Sequence, residues 1–174
     1  MRRIITVASG AVAVAAVLAL GIAVAGLAAS GSLSGIGQTT SEETTETTEK
    51  PKMTKFRAIA TVGAEVPKPT GVKAGARGTF LLTKTESSGS FSIAWTLGFK
   101  NLTGRAAAAH IHRGKVGKAG PVLVSLCGPC KSGQKGKAKI SKGVAAAIKS
   151  GGTYVNVHTT RNAAGEIRGQ IKKR

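Results

Sequence analysis

The 174-residue sequence predicts an all-β fold, an antiparallel Greek-key-like β-sandwich of about 7–8 strands, preceded by an N-terminal apolar helix and a disordered tether. Three observations predict it. Short runs rich in Val, Ile, Thr and aromatic residues recur through residues 55–174, separated by Gly- and Asn-containing turn signals. Several of these runs alternate apolar and polar side chains with the two-residue period of a half-buried strand. No long 3.6-residue periodicity interrupts them.

The elements follow in order. Met1-Arg2-Arg3 is a short positive start, and the run from Ile4 to Ala29 carries no charge. That run exceeds the roughly 7–15 apolar residues of a secretory signal and reaches the roughly 20 needed to span a bilayer. Residues 1–30 therefore read as a signal anchor or a cleaved signal peptide, with small residues around Ala25, Gly26, Ala28 and Ala29 suited to cleavage. In either case Arg2 and Arg3 stay inside and the remainder is exported. Residues 31–54 contain the stretch Thr39 to Glu49, made only of Thr, Ser and Glu. It holds too little apolar surface to offset the entropy of ordering and is expected to be a tether.

Residues 55–174 form the globular part, long enough to bury a core unaided. Strands are predicted at 55–62, 78–84, 90–99, 106–112, 122–126, 136–140, 153–158 and 166–171, with one short helical turn at 143–149. In the third run Phe91, Ile93, Trp95 and Leu97 share one face, and Ser92 and Thr96 the other.

Charge is distributed very unevenly. All but four of the 26 Lys and Arg lie from Met53 onward, but only three of the seven acids do, and all seven are Glu. The globular part thus keeps the full net charge of +19. Such an excess bears on partners rather than fold, and an anionic surface polymer or acidic polysaccharide is the expected partner. Nucleic acid is disfavoured, because aromatic residues make up only 3% of the chain and leave few platforms for base stacking. Lys135, Lys137 and Lys139 alternate along one strand face, and with Lys131 and Lys142 they form a candidate anion-binding set; an ordinary solvated face explains them as well.

The chain's three His all fall in two strand-like segments, Ala109-His110-Ile111-His112 and Tyr154-Val155-Asn156-Val157-His158. Residues two apart on a strand point the same way, about 7 Å apart, so His110 and His112 present both imidazoles on one face. With His158 from a neighbouring strand they would form a mononuclear site suited to copper or zinc. The plainer reading is a hydrogen-bonded polar strand pair. No Asp exists, so support for the imidazoles would come from backbone carbonyls or Glu166.

Cys127-Gly128-Pro129-Cys130 has the spacing of thioredoxin-like redox sites. Those sites need a helix after the first thiol to lower its pKa, and Lys131 to Gly136 reads as loop. In an exported protein a local disulfide pinning a turn is expected, with metal ligation and redox catalysis as alternatives. No Gly-x-Ser-x-Gly elbow, phosphate loop or pair of nearby carboxylates is present, so the chain reads as a non-enzymatic module.

Taken together in this order, several segments resemble the CHRD domain family, named for repeats in the secreted protein chordin. They are Gly63-Ala64-Glu65-Val66-Pro67, Gly75 to Leu82, Ala109-His110-Ile111-His112-Arg113-Gly114, Gly117, Ala119-Gly120-Pro121-Val122, Tyr154 to Thr159, and Gly165-Glu166-Ile167-Arg168-Gly169-Gln170-Ile171. The resemblance covers about Phe56 to Ile171 and departs at Ala163-Ala164, where the family commonly has a proline before the Gly-Glu. It implies an extracellular all-β domain and little about activity. The H-x-H segment is also similar to the copper-binding region of copper/zinc superoxide dismutases. Those enzymes use more His and an Asp, so the resemblance implies at most a single-metal, dismutase-like site, with Arg168 as an anion guide.

Overall fold

The computed structural model describes residues 49–174. The predicted apolar helix and residues 31–48 of the predicted tether lie outside the described residues, whereas 52–54, also assigned to the tether, are part of the first strand. Among the described residues, no helix is long and apolar enough to cross a membrane.

The strands are β1 (Lys52–Thr61), β2 (Arg77–Ser87), β3 (Ser90–Lys100), β4 (Ala106–Arg113), β5 (Val122–Cys127), β6 (Gln134–Ile140), β7 (Thr153–Thr159), β8 (Ile167–Gln170) and the short β9 (Lys172–Lys173), with one α-helix among the described residues, α1 (Lys142–Lys149), and a single 3-10 turn at Val62–Ala64. All eight expected strands are present, with shifted ends. β1 begins three residues earlier than expected, because Lys52, Met53 and Thr54 pair in register with Glu86, Thr85 and Lys84.

The sheet is continuous, in the order β5-β4-β7-β8-β1-β2-β3-β6, with β9 added beside β1. Every pairing is antiparallel. The two end strands, β5 and β6, approach one another, so the single sheet curls into a nearly barrel-shaped form, which fits a β-sandwich or barrel. Closure around one core reduces the exposed edge that an open sheet would carry. The expected all-β antiparallel architecture is therefore observed, in barrel-like form.

Alternation decides what lies inside. Ile93, Trp95 and Leu97 point into the core as expected, together with Phe56, Phe80, Leu82, Ile111, Val155 and Ile167. Gly136 on β6 faces Trp95 across the strand pair, and a Cβ there would run into the indole. The sharp β2–β3 turn uses Ser88 and Gly89, both at positive φ (44° and 74°), the geometry that matches strand twist in a two-residue hairpin. α1 is two turns long rather than one. Ser141 caps it by accepting from the Val144 N–H at 3.3 Å, and the Ala-rich run carries Ile148 into the core.

Candidate metal centre

β7 is buried along nearly its whole length on both faces. Val155 and Val157 face the core, whereas Tyr154, Asn156 and His158 face outward beneath the loops that follow β4 and β7. In register, His112 lies opposite Tyr154, His110 opposite Asn156, and Ala108 opposite His158. This pairing places His158 diagonally beside His110, as the two-residue period requires.

The three imidazoles converge. One ligand nitrogen from each of His110, His112 and His158 lies within 4.8 Å of the others. His110 Nδ1 and His158 Nε2 are hydrogen-bonded at 3.0 Å, a distance that is also about the span of two metal–nitrogen bonds of ~2.0–2.1 Å meeting near a right angle. The His112 Nδ1–H donates to the Gly120 carbonyl at 2.8 Å, and the His158 Nδ1–H to the Ala163 carbonyl at 2.8 Å. A carbonyl only accepts, so both rings carry their proton on Nδ1 and present a lone pair at Nε2. His112 Nε2 is buried with no partner. Burial, then the neighbouring rings of His158 and His112, hold the His110 imidazolium below its ordinary value of 6.5. Burial likewise lowers His158, against the raising effect of the Ala163 carbonyl. Both rings are therefore neutral at pH 7, the state in which imidazole ligates a metal.

Of the two supports expected, the backbone carbonyls are present and Glu166 is not. Backbone carbonyls orient two of the rings, and Glu166 touches none of them. Its carboxylate is buried and accepts from the Thr159 hydroxyl at 2.7 Å, the Asn162 side chain at 3.2 Å and the Thr103 N–H at 2.6 Å. Glu166 therefore ties the β7–β8 turn to the loop before β4. Burial alone would raise its pKa, but these hydrogen bonds together leave it below the ordinary carboxylate value.

Arg168 does not face solvent as an anion guide would, because it is only 1% exposed. Its Nη2 donates to the Lys115 and Lys118 carbonyls at 2.9 and 2.8 Å, and its guanidinium lies 3.3 Å from the Tyr154 ring centre. Tyr154 in turn stacks on His112 at 4.9 Å, and its hydroxyl accepts from the Gly120 N–H at 3.2 Å. Arg168 and Tyr154 thus fix the loop whose carbonyl orients His112. Both are positioning residues.

Sequence reasoning missed Glu65, Tyr154 and Asn156, which complete this buried polar layer. Burial raises the Glu65 carboxyl despite the Val66 N–H and the nearby Arg168 charge. The available signal was the alternation of Tyr154 and Asn156 with His158, which puts all three on one face.

Cys127 and Cys130 form a disulfide. The residues after Cys130 form a turn into β6 and no helix, so the arrangement that activates a redox thiol is missing there. Lys135, Lys137 and Lys139 are exposed and share the outer face of β6, with Lys131 in the preceding turn and Lys142 at the start of α1.

The CHRD domain model matches residues 56–171. The chain belongs to the CHRD domain family. The match runs from within β1 to just past β8 of this CHRD domain and contains all three His and both Cys. CHRD domains occur in extracellular or secreted proteins, which suggests an extracytoplasmic location here. Searches of curated proteins and of solved structures give no match. Neither comparison supports the expected likeness to copper/zinc superoxide dismutases.

Proposed function

We propose that this CHRD domain is an exported binding module whose specific chemistry is a mononuclear copper or zinc centre held by His110, His112 and His158. The observation that carries the reading is the convergence of three imidazole nitrogens within 4.8 Å. The donor set suits the ion: it is all nitrogen, with both thiols taken up in a disulfide, and imidazole serves zinc and copper alike. The carbonyl-fixed tautomers and the orphaned His112 Nε2 support it further. A bound copper would supply one-electron chemistry, and a bound zinc Lewis acidity. His110, His112 and His158 hold the ion, Gly120 and Ala163 aim the rings, and Tyr154 and Arg168 keep the Gly120 loop in place.

Elemental analysis of the full-length protein tests this, after chelator stripping and reloading with copper(II) or zinc(II). One ion per chain is expected, with affinity reduced at least ~100-fold in His112→Ala and His158→Ala. A wild-type protein that retains no stoichiometric ion ends the proposal.

A second reading concerns partners. The chain's net charge of +19 is scarcely compensated: Lys84–Glu86 is the one salt bridge among the described residues. Uncompensated charge of this size favours an anionic surface polymer or acidic polysaccharide, with the N-terminal segment holding the domain at the outer side of the membrane. Binding should then fall steeply with ionic strength, and binding indifferent to salt would count against it.

A further inference from the structure

The cations on one side of the barrel are arranged in two facing rows. On the outer face of β6-β3-β2-β1, cross-strand partners form rungs. One rung runs Lys137, Ala94, Thr83, Lys55, and the next runs Lys135, Thr96, Leu81, Arg57. Each begins and ends on an exposed cation and crosses short, mostly half-buried side chains. Lys172 on β9 extends the second rung beyond Arg57, and Arg174 lines the groove beside Lys55. A third rung adds Lys139 over Ser92 and Thr85. With strands ~4.8 Å apart, the two rows stand about 14 Å apart, and along each row the charges repeat about every 7 Å. The result is a shallow trough, with grooves of about 520 and 500 Å³ over its central and upper floor.

The lining identifies the ligand. No Asp or Glu side chain borders these grooves or the neighbouring ones at Arg57 and Arg77, so the side-chain cations face no acidic side chain there. The floor offers hydroxyls from Thr83, Thr85, Thr96 and Ser92; the aromatic residues that border it, Phe56 and Trp95, belong to the buried core and are only 1% and 6% exposed. A floor without exposed aromatic platforms does not suit bases, and the exposed apolar side chains of this face, Met53, Ile59 and Leu81, are interspersed with Lys55 and Arg57 along β1 and its partner strand, a pattern that suits a charged chain better than a lipid layer. Hydroxyls between cationic rows suit a hydroxyl-rich chain bearing regular negative charge.

We propose that this trough binds a linear acidic polysaccharide laid along β2 and β3, with Lys135 and Lys137 on one side and Lys55 and Arg57 on the other. This rests on the reading of the domain as a polyanion binder and gives it a location and a ligand class. Lys131 and Lys142 border none of these grooves and contribute only general charge.

Binding of the full-length protein in detergent to polygalacturonate tests it, measured across a salt series. Lys135→Gln/Lys137→Gln and Lys55→Gln/Arg57→Gln should each lower affinity tenfold or more, and should reduce the log–log salt slope by about one to two. Arg105→Gln/Arg161→Gln removes the same charge from exposed positions outside the trough and should change affinity less than threefold. Lys135→Arg/Lys137→Arg should bind like wild type. Equal losses in all three Gln pairs overturn the trough while leaving polyanion binding intact. Tighter binding to single-stranded DNA or anionic vesicles than to polygalacturonate overturns the ligand class. A wild type that binds none of these overturns both the trough and the reading beneath it.

Discussion

His112→Phe separates a metal ligand from a merely structural histidine. His112 is 8% exposed, and phenylalanine preserves its ring stacked on Tyr154. The substitution removes two things: the Nδ1–H···O=C bond to Gly120, and the buried Nε2 that has no partner. Losing a typical hydrogen bond costs about 0.5–1.5 kcal/mol net, whereas relieving an unsatisfied buried polar atom returns about 1–3 kcal/mol. In the chelated protein the terms nearly offset, so stability should stay within about 1 kcal/mol of wild type. Metal changes the comparison. At a free ion concentration of about 100 Kd, a ligand specific for the folded state adds about 2.7 kcal/mol. Wild type should gain that amount in urea unfolding, and the variant should gain almost none. The reasoning is refuted if the variant gains as much as wild type, or if it loses more than about 3 kcal/mol without metal. The latter result would make the imidazole a structural hydrogen bonder first.

Three further outcomes are expected. Metal affinity should be level above pH 7 and fall as pH drops below 6.5, since burial keeps His110 and His158 neutral to lower pH than usual. The metal-free fold should lose stability over the same interval, because the unfolded chain takes up those protons first; calorimetric titration and urea midpoints between pH 5 and 8 check both, and affinity that rises on acidification would contradict the site. Gly136→Ala should cost about 1–3 kcal/mol by overpacking against Trp95, read from the urea midpoint, while leaving metal stoichiometry at one. Replacing Cys127 and Cys130 by Ser opens a loop of sequence separation 3, so chain entropy predicts a loss of ~2 kcal/mol with unchanged metal affinity; loss of the ion would instead implicate the sulfurs.

Much of the fold was legible because a strand's period of two is a local property. Phe91, Ile93, Trp95 and Leu97 declare an inward face, and Ser88-Gly89 declares a tight turn, without reference to any other segment. The same locality placed His110 and His112 together and aligned Lys135, Lys137 and Lys139. How far the sheet curls toward closure was not legible, because that depends on twist summed over all the strands. Nor was the role of Glu166 or Arg168. A buried charge takes its meaning from partners far along the chain, here Thr103 for the first and Lys115 and Lys118 for the second.

By itself, the sequence determined the all-β class, the strand positions, the excess of positive charge and the pairing of His110 with His112, all set by neighbours a few residues away. Only the tertiary structure decided that His158 stands 3.0 Å from His110, that main-chain carbonyls aim two of the rings, and that Lys55 and Arg57 face Lys137 and Lys135 across the sheet. Those relations depend on register between distant strands. Register is fixed by the whole set of apolar faces seeking one core, because a slip of one residue would turn every side chain of a strand to the other side.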